Sequence, residues 1–165
     1  GGIARRMLPG TLMLVEDQVN LQWRSPLRVP LSMEPPAVLP AGPRGLSSRP
    51  GYSEELMAKA ARAAVVAGVR LERGVLGVAL GPSYETAAEI AMLERMGADA
   101  VCMSTGTEAA MAAALGIPAV AISCVANWAT GRSVQRLSHA EVTAAVAAAA
   151  APMKSMMERL ILALA

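Results

Sequence analysis

Three polar clusters, each following a short apolar run, carry the side chains of this chain that could do chemistry together. They are GPSYET (Gly81 to Thr86), MSTGTE (Met103 to Glu108) and ANWATG (Ala126 to Gly131). Tyr84 offers a flat face to a ring. Glu85 is a carboxylate able to accept hydrogen bonds from ring N–H or amino groups. Ser104 stands where a strand gives way to a helix, and free backbone N–H groups there suit an oxyanion such as phosphate. The amide of Asn127 donates and accepts, so it can read the edge of a heterocycle. Each residue also has a plainer role. Glu85 precedes a helix cap, where the dipole favours a carboxylate, and taken alone that role is the stronger. Ser104, Thr105 and Thr107 can simply cap a helix, and Asn127 can form a turn; for these the two roles balance. Arrangement adds the further argument. In an open parallel α/β sheet the strand carboxyl ends share one rim, and ligands bind there. Tyr84, Glu85, Met103, Ser104 and Asn127 are therefore expected in one pocket.

The elements that must position them follow from capping and periodicity. Residues 11–16 read as a strand, followed by a polar turn at Asp17-Gln18. Residues 25–52 hold Pro26, Pro30, Pro35, Pro36, Pro40, Pro43 and Pro50, a density that excludes helix and predicts a long loop. Ser53 caps a helix to about Ala67, with Glu54 and Glu55 in its first turn. Val75–Leu80 reads as a strand, and Thr86 with Glu89 forms a capping box for a helix stopping at Gly97. Ala100–Met103 reads as a strand, and Thr105 with Glu108 as a second box for a helix ending at Gly116. Val120–Val125 reads as a strand. Ser138 with Glu141 forms a third box, for a helix to about Leu164 that Pro152 kinks or divides. Val142, Val146, Met153, Met156, Leu160 and Leu164 fall mostly on one face of it. Strand–helix alternation of this kind predicts a single α/β domain over residues 1–165 with a largely parallel sheet.

Bulk properties exclude several classes. The chain has 165 residues, a formal net charge of +2 and 54% hydrophobic residues, with a mean hydropathy of +0.41. Aromatics are 2% and there is no Phe. The four are Trp23, Tyr52, Tyr84 and Trp128, so a Tyr beside Glu85 is informative. Arg5, Arg6, Arg24, Arg28, Arg44 and Arg49 account for much of the basic excess. They form no stripe with interleaved aromatics, so nucleic-acid binding is unsupported and solvated arginines are the better account. Cys102 and Cys124 lie in apolar runs without metal-type spacing, which predicts two buried free thiols in a reducing cytoplasm. The longest apolar run, Val142 to Met153, is too short to span a bilayer, so no membrane partner is expected. His139 is the only histidine. At the start of a helix it reads as a surface residue, since a metal site or a catalytic base needs partners that no second His supplies. No GxSxG elbow or P-loop surrounds Ser104. Neither metal nor cofactor is expected.

Together GPSYET, GADAVCMST (Gly97 to Thr105), the strand ending at Asn127 and SHAEV (Ser138 to Val142) resemble the trimeric purine nucleoside phosphorylase family. Upstream, GGI and LPGTLMLVEDQVNLQWRSPL resemble the family's AAGG and GDLMLITDHINL…NPL elements, including Asp17, Asn20, Leu21, Pro26 and Leu27. Tyr52 falls where the family has the Tyr of its SEAYD-like element. The resemblance covers essentially the whole chain, strongly over 81–142 and loosely over 28–51. It implies a twisted α/β fold and reversible phosphorolysis of purine ribonucleosides to the free base and ribose 1-phosphate, with phosphate as co-substrate. It implies further that Tyr84 packs against the base, Glu85 holds its N1–H and exocyclic group, and Met103 lines the ribose site. Ser104 would contact phosphate, His139 the ribose 5′-hydroxyl, and Asn127 the base N7 as the glycosidic bond breaks. Asn rather than Asp at 127 points to 6-oxopurines (inosine, guanosine). The alternative within the class is a methylthioadenosine- or methylthioinosine-type phosphorylase. A homo-oligomer, a trimer by the same resemblance, a role in purine salvage and a cytoplasmic location are implied too.

The departures are also informative. Ala126 stands where the family usually has Thr, Gln18 where it has the His of DHINL, and Trp23 where it has a small residue. The chain begins at the GG of AAGG, without an initiator Met. The family's Gly/Ser phosphate loop and its Arg and His phosphate contacts precede that point. The chain therefore reads as the base-binding portion of an incomplete domain that would not perform phosphorolysis alone. The reading from another class is a non-catalytic fragment that binds a purine or a partner chain.

Overall fold

The computed structural model describes residues 1–22, 51–133 and 139–164, with His139 described by its backbone alone. Most of the Pro-rich loop expected over 25–52, with Trp23, Arg24, Arg28, Arg44 and Arg49, lies outside the described residues, as does the Ser138 cap. The elements in order are β1 (Leu12–Asn20), α1 (Glu54–Ala67), β2 (Leu71–Val78), α2 (Ala87–Arg95), β3 (Ala100–Cys102), α3 (Gly106–Ala114), β4 (Ile122–Cys124) and α4 (His139–Leu162). They build a mixed, largely parallel four-stranded sheet in the order β3-β2-β1-β4. β1 pairs parallel with β2, and β2 with β3.

β1 is central and buried on both faces, as alternation of side chains along a strand allows. Leu12 and Leu14 pack against Ala60, Ala63 and Ala64 of α1 and Ala149, Met156 and Leu160 of α4. Met13 and Val15 belong to a second cluster with Met7, Leu76, Val78, Ala100 and Val125. A third, with Ile90 and Leu93 of α2, packs against Ile3, Val101 and Ala129. The alanines of α1 keep the packed face of that helix thin.

Two of the expected caps form. Ser53 Oγ accepts from Leu56 N, and Thr86 and Glu89 make the reciprocal capping box. Several expectations are corrected. No turn interrupts β1 at Asp17-Gln18; a bulge between Val15 and Asp17 absorbs the irregularity, and one extra residue re-aims the strand without ending it. β2 begins four residues earlier than Val75. α4 is not divided at Pro152, which lies inside one helix. Of its expected apolar face, Met156 and Leu160 are buried while Val146 and Leu164 are exposed; the α4 residues buried in the sheet cluster run from Ala149 to Leu160. Cys102 and Cys124 are free but half-buried rather than buried. Among the described residues no helix is long and apolar enough to cross a membrane.

Candidate functional site

A cavity of about 690 Å³ opens where Gly1 and Pro9 of the N-terminal stretch meet four further chain segments. Tyr84 and Glu85 come from the loop after β2, and Val101, Cys102 and Met103 from the end of β3. Ala126 to Gly131 come from the segment after β4, and Glu141 from the first turn of α4. Four of the five residues expected to meet, Tyr84, Glu85, Met103 and Asn127, line it together. Ser104 is exposed and is not among the lining residues. The His139 side chain lies outside the described residues.

Asn127 arrives by a route other than the one expected. β4 was read as another parallel strand, which would put its carboxyl end on the rim shared by β2 and β3. Instead β4 runs antiparallel to β1, with Cys124 opposite Leu12. Its carboxyl end therefore leaves at the amino end of β1. Gly1 and Gly2 restore the juxtaposition. Gly1 N donates to Val101 O at 2.7 Å, and Val101 N to Gly1 O at 2.8 Å. On its other side Gly2 N donates to Asn127 O at 2.8 Å, and Ala129 N to Gly2 O at 2.9 Å. The segment from β4 to Ala129 thus starts at one edge of the sheet and reaches the other, where Gly1-Gly2 stitches it to β3. That curl brings Asn127 to the cavity that Met103 also lines.

Gly2 has no room for a side chain. A Cβ there would stand 2.1 Å from Met7 O, far inside van der Waals contact and against backbone that cannot rotate away. Gly2→Ala is expected to destabilise the protein by about 1–3 kcal/mol and to loosen the Asn127 wall. Denaturant unfolding checks the first effect, and a midpoint equal to wild type would contradict it.

Two further backbone features shape the walls. Gly81 has φ +66°, and a Cβ there would meet Met103 Sδ at 2.5 Å. The loop leading to Tyr84 and Glu85 therefore touches the Met103 side chain directly. Thr105 was expected to open a capping box with Glu108. Its side chain makes no capping hydrogen bond, and its φ is +71° with ψ −47°. Gly106 N donates back to Ser104 O at 2.8 Å, so residues 104–106 form a γ-turn, a strained conformation for a β-branched residue. The turn replaces the cap and leaves Ser104 on the surface, one residue beyond Met103. Cys102 Sγ also donates to Ser104 O, at 3.1 Å.

The amide of Asn127 is held before any ligand arrives, since Nδ2 donates to Trp128 O at 2.7 Å. Glu85 is half-buried, and Tyr84 is exposed over 65% of its surface. Tyr52 Oη donates to Gln18 Oε1 at 2.8 Å, so Gln18 serves as an acceptor at the position where the resembled family has His. Burial pushes the Tyr52 hydroxyl far above its ordinary range, helped by Cys102, Asp17 and Glu108 nearby. Burial also pushes the Cys124 thiol up. A raised folded-state value means that Tyr52 stabilises the fold fully below the ordinary tyrosine pKa of about 10 and loses that contribution as pH rises above it. An ultraviolet titration of tyrosinate should show one of the two tyrosines ionising late, and Tyr52→Phe should remove that late step. Two coincident normal titrations would contradict this.

The sequence reasoning did not single out Gln22, Trp128 or Glu141. Trp128 and Glu141 line the cavity, and in the sequence Glu141 reads only as part of a cap. Gln22 does not line it; it is 9% exposed and hydrogen-bonded through both ends of its side-chain amide and its backbone N–H. Among the described residues no group of three or more His, Cys, Asp or Glu side chains could hold a metal ion.

Comparison with known proteins gives this geometry a family. The model of the phosphorylase superfamily matches residues 1–162. Purine nucleoside phosphorylase 1 of Bacillus subtilis (strain 168) is 37% identical over 142 residues, covering 86% of this chain and 50% of that protein. A probable S-methyl-5′-thioinosine phosphorylase of Xanthomonas campestris pv. campestris is 42% identical over 100 residues, covering 59% of this chain and 40% of that protein. The crystal structure of Schistosoma mansoni purine nucleoside phosphorylase in complex with inosine superposes with a TM-score of 0.84 at 32% identity. It covers 98% of this chain and 57% of that one. The chain spans about half the length of the curated relatives it matches. With a family model matched over nearly its whole length and a sheet that superposes on a solved phosphorylase, the chain belongs to the phosphorylase superfamily.

Proposed function

We propose that this chain forms the base- and ribose-binding part of a purine nucleoside phosphorylase site. The reaction is phosphorolysis of 6-oxopurine nucleosides to the base and ribose 1-phosphate. One observation carries the reading: in a member of this superfamily, Tyr84, Glu85, Met103 and Asn127 line one cavity of about 690 Å³. That volume falls within the range of roughly 300–1,000 Å³ usual for small-molecule sites. In this reading Tyr84 stacks on the base and Glu85 accepts from N1–H. Met103 bounds the ribose. Asn127 donates to N7 as the glycosidic bond breaks and negative charge develops on the leaving purine. Ser104, exposed at the adjacent γ-turn, contacts phosphate, and His139 reaches the ribose 5′-hydroxyl. The protein acts as a homotrimer in the cytoplasm, in purine salvage, with no cofactor beyond phosphate.

The test is cleavage of inosine, guanosine and adenosine by the whole protein, with and without phosphate. Phosphate-dependent release of hypoxanthine and guanine, with adenosine spared, is the expected result. Tight purine binding without cleavage would favour a non-catalytic binding role instead. A second reading, a methylthioinosine phosphorylase, draws support from the Xanthomonas relative. It predicts a preference for a 5′-methylthio group over a 5′-hydroxyl, which competition between the two nucleosides decides.

A further inference from the structure

We propose that Gln22 is a positioning residue that sets the spacing between two walls of the cavity. The inference rests on the purine-binding reading above, and deepens it. Gln22 follows β1 and does not line the cavity. Its Nε2 donates to Ala79 O at 3.1 Å and to Met103 O at 3.3 Å. Its Oε1 accepts from Thr107 Oγ1 at 3.0 Å, and its backbone N donates to Asn20 Oδ1 at 2.9 Å. Two carbonyls on one side and a hydroxyl on the other define the orientation of the amide, because only the NH₂ can donate to both carbonyls.

The two carbonyls are not equivalent scenery. Ala79 is the first residue after β2 and starts the loop that runs to Tyr84 and Glu85. Met103 is the first residue after β3 and is itself part of the wall. Between them β2 and β3 remain paired only as far as Val78 and Cys102, with one further bond from Ala79 N to Cys102 O at 2.8 Å. Past that bond the Gln22 amide links the two segments. Thr107, in the first turn of α3, completes the clamp and ties it to the strained γ-turn at Thr105. Among the described residues Gln22 is the one buried polar or charged residue, and its amide joins the start of the loop that leads to Tyr84 and Glu85 to the Met103 wall.

Two variants separate positioning from mere stability. Gln22→Met keeps the length and volume of the side chain but removes both donors and the acceptor. Thr107→Val removes one bond and leaves both carbonyls held. In the whole protein, Gln22→Met is expected to raise KM for inosine about tenfold while KM for phosphate changes less than about twofold, since misplacing one wall weakens one substrate. Thr107→Val, which loses only the hydroxyl partner of the amide, is expected to raise KM for inosine less than Gln22→Met does, again with KM for phosphate little changed. A purely structural role would lower the active fraction, and with it kcat, without moving either KM. That pattern would overturn the proposal. Amide hydrogen exchange on the same variants needs no substrate. Exchange should quicken in Gln22→Met at 79–86 and 103–107, with the core of β1 unchanged. Unaltered exchange at those segments overturns the positioning role whatever the activity. If wild type neither cleaves nor binds inosine, the functional reading fails, and the exchange result still decides the role of Gln22.

Discussion

In the whole protein, under the proposed function, Asn127→Ala is expected to lower kcat for phosphorolysis of inosine by about 10²–10³-fold, or about 2.7–4 kcal/mol, with a much smaller change in KM. The argument is electrostatic. As the glycosidic bond breaks, the departing purine gains negative charge, and a donor already aimed at that charge stabilises the transition state more than the ground state. Asn127 meets the requirement of prior orientation. Its backbone carbonyl accepts from Gly2 N, and its side-chain Nδ2 donates to Trp128 O, leaving the second Nδ2 hydrogen for a ligand. The side chain is half-buried and supports no core cluster, so the variant should keep a thermal midpoint close to wild type. Asn127→Asp sharpens the test. An ionised carboxylate accepts but cannot donate, so 6-oxopurine turnover should fall and tolerance of 6-amino purines should rise. If Asn127→Ala retained kcat within about threefold of wild type, less than 1 kcal/mol would remain for this donor, and another group would have to carry the charge.

What could be read in the sequence and what could not divides along physical lines. Ser53 and the Thr86–Glu89 pair announced their helices because a cap is a local contract, with donor and acceptor within three residues. Thr105–Glu108 has the same spelling and fails, because the chain must first reverse in a γ-turn after β3, and that demand comes from how α3 sits on β2. A Cβ on Gly106 would lie 3.0 Å from Val78 Cγ1, so the helix start is pressed onto the strand. The direction of β4 was illegible for a different reason. A short apolar run reads the same whether it pairs parallel or antiparallel, and its partners lie more than a hundred residues away at Leu12 to Leu14. Four of the five expected residues nevertheless line one cavity, without Ser104, because Gly1 and Gly2 bring the tail of β4 to the other edge. Gln22 escaped notice because its three side-chain partners include two backbone carbonyls, which leave no mark in a sequence. Trp128 and Glu141 sat inside segments already singled out for other residues.

The second large effect concerns selection of the base. Glu85→Ala should reduce kcat/KM for inosine about 10²-fold, yet change purine riboside, which lacks the N1–H and the exocyclic oxygen, by less than about threefold. The difference between substrates is what matters, because it cancels any general loosening of the loop from Gly81 to Thr86. The ledger for one bond has two sides. Removing the carboxylate leaves the N1–H of a buried base without an acceptor, which costs about 1–3 kcal/mol and more when the lost partner was charged. Purine riboside has no donor there to orphan. Glu85 is only half-buried in the open cavity, so water screens it until a base fills the space; its full effect should appear in kcat/KM rather than in the stability of the free protein. Glu85→Gln provides the graded case. It keeps an acceptor oxygen but loses the charge, and should fall between wild type and Glu85→Ala with inosine. Parallel losses for inosine and purine riboside across both variants would mean that Glu85 serves the helix dipole of α2, the plainer role that its position before Thr86 also allows.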